Sequence, residues 1–205
     1  MMEHNETSRP SAGGLRALIV EDDTLVGMGL RAQLEKLGHE VLGQAANGEE
    51  ARRFFAEGKP DLVLMDIRLD QTDGIELAGQ LLAERRVPII IVSAYSDKEL
   101  IDRAAAAGVF GYLVKPVSPE ALAAQIGVAT TRFAEHADIL EQNQELLQNL
   151  ETRKLVERAK GILMRRMSLP EPDAHRRLQQ ESQKRRVTIA EIAKRIIESE
   201  EMFTA

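Results

Sequence analysis

An α/β fold built on a doubly wound parallel sheet is predicted by three observations. Apolar runs too short for helices recur along the first part of the chain: Leu18-Ile19-Val20, Leu62-Val63-Leu64-Met65 and Ile89-Ile90-Ile91-Val92. They are continuous rather than alternating, as expected of strands buried on both faces of a sheet. Between them lie segments whose apolar residues recur at helical spacing, so strands alternate with helices.

Each element has its own signal. Leu18-Ile19-Val20 ends in Glu21-Asp22-Asp23, with Asp23 read as a loop acid. From Thr24 to Leu37, Leu25, Val26, Met28, Leu30, Leu34 and Leu37 mark a helix that Gly38 stops. Val41-Leu42 is a second strand, and Asn47 caps the helix opened by Gly48-Glu49-Glu50. Leu62 to Met65 runs straight into Asp66, which places that carboxylate at the carboxyl end of a strand. Asp73-Gly74 begins a helix through Leu82 that ends before Pro88. Ile89 to Val92, β-branched throughout, is the clearest strand, and Ser93 follows it. Ser96 caps an alanine-rich helix stopped by Gly108. Phe110 to Val114 is the fifth strand, followed by Lys115-Pro116, and Ser118-Pro119-Glu120 starts a fifth helix.

The strand ends therefore supply Glu21 and Asp22, then Asp66, Ser93 and Lys115. Converging carboxylates repel unless a cation neutralises them, and an all-oxygen ligand set favours Mg²⁺. Lys115 adds a positive charge, and the Ser93 hydroxyl can bond a newly arrived oxygen. Such a site can accept a phosphoryl group on Asp66, with Mg²⁺ and Lys115 holding the transferring oxygens.

Residues 16–125, through LIVEDD, LVLMDIRLD, IIIVSAYS and GYLVKP, resemble the receiver domain of two-component response regulators, which has a flavodoxin-like fold. The resemblance implies that Glu21 and Asp22 bind Mg²⁺ with Asp66, and that a sensor histidine kinase phosphorylates Asp66. It also implies a backbone carbonyl ligand from Arg68, a cis bond before Pro116, and Ser93 with Tyr112 as the switch pair. Leu69-Asp70 departs from the Met-Pro pair that many receivers carry after the phosphoacceptor.

Beyond the receiver, residues 126–150 hold no proline, and their only glycine is Gly127. Phe133, His136, Leu140, Asn143, Leu147 and Leu150 alternate in spacings of three and four, the pattern of a coiled-coil seam. Asn143 at an inward position restricts register or partner number. After Leu150 the stripe shifts phase to Leu155, Val156, Ala159, Ile162 and Leu163, marking a boundary before residues 151–199. Three helices are read there as a small bundle. The first ends near Met167, the second has Ala174 and Leu178 inward, and the third opens with the capping box Thr188-Ile189-Ala190-Glu191. Residues 1–15 and 200–205 are read as tails.

The stretch Arg153 to Met164, with Glu171-Pro172-Asp173-Ala174 and Ile192 to Ile197, resembles the ANTAR domain, the RNA-binding output of antiterminator response regulators. Charge agrees: residues 1–150 carry 14 Lys/Arg against 24 Asp/Glu, and residues 151–205 carry 13 against 9. The basic end is the partner for a polyanion. Its candidate RNA contacts are Arg158, Lys160, Arg165, Arg166, Lys184, Arg185, Arg186, Lys194 and Arg195.

The sequence reads as a phosphorylation-controlled regulator that pairs as a homodimer when active, grips RNA hairpins and prevents transcription termination. The alternatives are a DNA-binding response regulator and a phospho-dependent protein-interaction module. No catalytic constellation is found beyond the phosphoacceptor and its slow self-dephosphorylation. The absence of cysteine excludes disulfides and thiol chemistry; no apolar run suits a membrane span and no signal peptide is recognised, so the expected location is the cytoplasm.

Overall fold

The computed structural model describes residues 14–70 and 72–204; of the tail expected over residues 1–15, residues 1–13 lie outside the described residues. In chain order the elements are β1 (Arg16–Val20), α1 (Thr24–Lys36), β2 (Glu40–Ala45), α2 (Gly48–Gly58), β3 (Leu62–Met65), β4 (Arg68–Leu69) and β5 (Thr72–Asp73). Then come α3 (Gly74–Glu84), β6 (Ile89–Ser93), α4 (Lys98–Ala106), β7 (Gly111–Val114), α5 (Pro119–Met167), α6 (Glu171–Arg185) and α7 (Ile189–Thr204). The chain divides into two compact units between His136 and Ala137.

In the first unit five parallel strands lie in the order β2-β1-β3-β6-β7. Strands β1, β3 and β6 are central and almost wholly buried, as their continuous apolar runs require. Successive residues feed opposite layers. Leu18, Val20, Val63, Met65, Ile89 and Ile91 face one core with residues of α2 and α3. Ala17, Ile19, Leu62, Leu64, Ile90 and Val92 face the other with residues of α1 and α5. The order reverses between β1 and β3, and in such sheets the crevice beyond the carboxyl ends at that point is the ligand site.

Several caps differ from the sequence reading. Asp23 is the N-cap of α1 rather than a loop acid: its Oδ1 accepts from the Leu25 and Val26 amides, so the helix uses it up. The N-cap of α4 is Asp97, not Ser96, and it makes no side-chain capping bond. Asn47 caps α2 as expected, accepting from the Glu50 amide. The peptide before Pro116 is cis, as the resemblance implied.

The fifth receiver helix, the connector and the first bundle helix form one unbroken α5 of 49 residues. Nothing from Pro119 to Met167 forces a break, since its glycines are helix-compatible and its next proline is Pro170. Two residues assigned to the pairing seam are used within the first unit instead. Phe133 packs edge-on against Phe110 at 5.3 Å, and His136 lies beside Phe110 with Nδ1 3.1 Å from the Arg86 guanidinium. Further along, Ile139, Leu146, Leu147 and Leu150 are exposed.

In the second unit the core is Val156, Ala159 and Ile162 of α5 with Leu178 of α6 and Ile192, Ala193 and Ile197 of α7. The capping box is made in both directions, the Glu191 amide to Thr188 Oγ1 at 3.2 Å and the Thr188 amide to Glu191 Oε2 at 3.0 Å. Helix α7 continues to Thr204 through residues expected as a tail. Glu200 and Glu201 are held there by Arg166 and Arg158 of α5.

Candidate functional site

Backbone bonds at the sheet edge fix the chain where the strands end. The Glu21 amide bonds the Ala45 carbonyl, the Asp66 amide bonds the Val20 carbonyl, and the Lys115 amide bonds the Ser93 carbonyl. The predicted residues Glu21, Asp22, Asp66, Ser93 and Lys115, from the ends of four strands, are thereby brought to one edge. Glu21, Asp22 and Asp66 can each offer an oxygen within 4.8 Å of the others, an acidic cluster consistent with a receiver-domain Mg²⁺ site. Three hard oxygen donors suit that cation, with water completing its shell.

Lys115 is the counterion of this cluster. Its Nζ lies 2.9 and 2.7 Å from the two Glu21 carboxylate oxygens and 2.6 Å from Asp66 Oδ2. Glu21 and Ser93 are fully buried, and Asp66 is 9% exposed. Burial pushes the Glu21 carboxyl up from 4.5 to about 6, against the lowering by its Lys115 hydrogen bond; the Asp66 charge adds to the rise. Burial also opposes the Lys115 charge, but hydrogen bonds to Asp66 and Glu21 outweigh it and hold the ammonium above its ordinary value. Removing either charge would strand the other in a desolvated site.

The other Asp66 oxygen, Oδ1, accepts from the Ile67 amide at 2.6 Å and the Arg68 amide at 3.4 Å. The chain then makes a feature the sequence reading missed, the antiparallel β4–β5 hairpin. Asp70 at its turn has φ +39°, and its amide donates to Asp22 Oδ2 at 3.3 Å. The Gly74 amide closes the hairpin base on the Ile67 carbonyl at 2.7 Å. A Cβ at Gly74 would stand 1.8 Å from the Asp66 carbonyl oxygen, so only glycine fits there. Two-residue strands carry no readable periodicity; Asp73-Gly74 was the only local sign.

Ser93 and Tyr112 meet through Tyr95. The Tyr95 amide donates to Ser93 Oγ at 3.2 Å, and the Tyr112 hydroxyl donates to the Tyr95 carbonyl at 2.7 Å. The predicted switch residues are thus joined by one peptide segment.

Comparison with known proteins decides the family. The response regulator receiver domain family matches residues 17–127, and the ANTAR domain family matches residues 144–197. The transcriptional regulatory protein PdtaR of Mycobacterium tuberculosis is 39% identical over 193 residues, 94% of either chain. The chain belongs to the response regulators. This response regulator joins a phosphorylation-regulated receiver, a phosphoacceptor rather than a metabolic catalyst, to an RNA-binding ANTAR antitermination module. Its receiver is also similar to the chemotaxis protein CheY of Thermotoga maritima, at 36% identity over 52% of this chain and 89% of that protein. Among solved structures, the receiver domain of a modulated diguanylate cyclase from Desulfovibrio desulfuricans G20 is 41% identical with a TM-score of 0.56, covering 60% of this chain and 98% of that one. No helix among the described residues is long and apolar enough to cross a membrane.

The cations of the response regulator's ANTAR module differ in availability. Arg158 pairs with Glu201 at 2.7 Å, Arg166 with Glu200 at 2.8 Å, Arg185 with Glu181 at 3.0 Å and Lys194 with Glu198 at 3.9 Å. Lys160 is 7% exposed, with Nζ 2.9 Å from Glu157 and 2.7 Å from Glu171. Arg165, Lys184, Arg186 and Arg195 are exposed and have no carboxylate within 4.0 Å among the described residues. Arg186 ends α6 in the left-handed conformation at φ +55°.

Proposed function

We propose that Asp66 is the phosphoacceptor of a sensor histidine kinase, that Glu21, Asp22, Asp66 and the Arg68 carbonyl hold Mg²⁺, and that the phosphorylated chain pairs through α5 to grip RNA hairpins and prevent termination. The observation that carries the reading is the convergence of Glu21, Asp22, Asp66 and Lys115 at one sheet edge. Mg²⁺, when bound there, supplies charge neutralisation for the incoming phosphoryl group.

An Asp66 carboxylate oxygen attacks phosphorus in line with the phosphohistidine bond. The P–N bond breaks, its electron pair returns to the imidazole, and a P–O bond forms on Asp66. Lys115 Nζ stabilises charge on the transferred oxygens. The Ser93 hydroxyl donates to one of them, and the Tyr95 segment carries that change to Tyr112. Exposed Ile139, Leu146, Leu147 and Leu150 then offer the surface for a second copy, with Asn143 selecting register. Arg165, Lys184, Arg186 and Arg195 are the cations readiest to meet phosphates.

Ultraviolet crosslinking in cells, with sequencing of bound RNA for wild type and Asp66→Asn, tests the reading. Paired hairpins before terminators, enriched only with Asp66 intact, are the expected result. Enrichment in both strains removes phosphorylation as the gate. No RNA in either strain, with duplex DNA bound instead, returns the DNA-binding reading.

A further inference from the structure

The β4–β5 hairpin has only two residues per strand, which is too little to hold itself. Asp70 at its turn also sits at positive φ, a conformation disfavoured for residues other than glycine. What holds the hairpin is outside it. On the β4 side, the Arg68 guanidinium lies over the Tyr95 ring at 4.2 Å from its centroid. On the β5 side, Asp73 Oδ2 accepts from Arg103 of α4 at 2.6 Å while its Oδ1 caps α3 through the Ile75 and Glu76 amides. The Asp70 amide meets Asp22 Oδ2.

We propose that Arg103 and Tyr95 are positioning residues for the divalent cation: by clamping the two strands of the hairpin, they fix the Arg68 carbonyl and the Asp22 carboxylate where the ion needs them. This rests on the proposed Mg²⁺ site. Among the described residues neither side chain bonds Glu21, Asp22 or Asp66, so both act through the hairpin. Groups that orient metal ligands from outside the coordination shell change affinity about 10-fold or more when removed. Either clamp, once lost, leaves the hairpin free to relax the turn at Asp70. The Arg68 carbonyl moves with it, and the amide that orients Asp22 is withdrawn.

The test is calorimetric Mg²⁺ titration of the full chain as wild type, Arg103→Ala, Arg103→Lys, Tyr95→Ala and Tyr95→Phe. Phosphorylation by acetyl phosphate is followed in parallel against Mg²⁺ concentration. The Ala variants should raise the Mg²⁺ dissociation constant about 10-fold. Tyr95→Phe keeps the aromatic face and Arg103→Lys keeps the charge, so both should rescue in part. Saturating Mg²⁺ should return the phosphorylation rate of the Ala variants to that of wild type. A dissociation constant unchanged in both Ala variants, or a rate defect that saturating Mg²⁺ does not cure, overturns the clamp. A wild type that binds no Mg²⁺ overturns the metal reading itself, and the clamp with it. Tyr95→Ala leaves the Arg103–Asp73 pair intact and carries the test if Arg103→Ala does not fold.

Discussion

The strand-end cluster of the receiver and the cations of the ANTAR module are both concentrations of charge, but burial treats them oppositely. In the receiver, two acids and Lys115 are desolvated together and depend on one another. In the module, Arg158, Arg166, Arg185 and Lys194 pair with acids on the surface, where an ion pair is worth about 1 kcal/mol or less. A buried cluster acts as one unit. A surface set is a list of nearly independent contacts whose pairs exchange readily for phosphate.

The largest effect expected from this contrast is at Asp66. Asp66→Asn should abolish phosphoryl incorporation from acetyl phosphate while leaving the RNA affinity of the unphosphorylated protein unchanged; incorporation persisting in the variant would break the contrast. Next comes the size of the two cores. Leu178→Ala empties a buried position of the small bundle and should cost about 2–5 kcal/mol. Calorimetry should show the ANTAR transition lost or sharply lowered with the receiver transition in place, since a core built from about 50 residues has little stability to spare. A smaller effect concerns the unpaired cations. Arg186→Ala or Arg195→Ala should each reduce the slope of log affinity against log salt by about 1. Arg158→Ala, which also frees Glu201, should move it less; equal slopes would show that the surface pairs do not compete with phosphate.

The smallest effect is a titration. The hydrogen bond from Lys160 holds the Glu171 carboxyl below its ordinary 4.5. This group therefore contributes stability that is present above pH 4.5 and lost as pH falls through its depressed folded value. In Lys160→Met the carboxyl resonance should titrate back toward 4.5.

The sheet and its acidic edge were legible because they are written in short range: continuous apolar runs followed directly by Glu21-Asp22, Asp66 and Lys115. The hairpin after Asp66 was not, because two strands of two residues are defined by what clamps them. Tyr95 and Arg103 lie about 27 and 30 residues beyond their partners Arg68 and Asp73 respectively. The same distance in sequence hid the state of the basic residues: Arg158 and Arg166 meet acids 43 and 34 positions away. Lys160 reads as one more cation of a basic helix until α6 places Glu171 against it. Asp23 was misread for a subtler reason, since an acid after a strand and a helix cap are the same letter, and only the Leu25 and Val26 amides tell them apart.

Helix α5 carries two stripes, and their relative angle is a quantity in its own right. Ile139, Leu146, Leu147 and Leu150 face solvent, whereas Val156, Ala159 and Ile162 turn the other side of the same helix into the bundle. Without an intervening break, the angle between them is set only by the number of residues from one stripe to the other. One residue inserted between Leu150 and Leu155 would swing the outer stripe by about 100° and lengthen the helix by about 1.5 Å, while seven would return it to within about 20° of its phase. The helix is a gear whose teeth are counted in residues, and a single indel there resets its timing while sparing every side chain at either site.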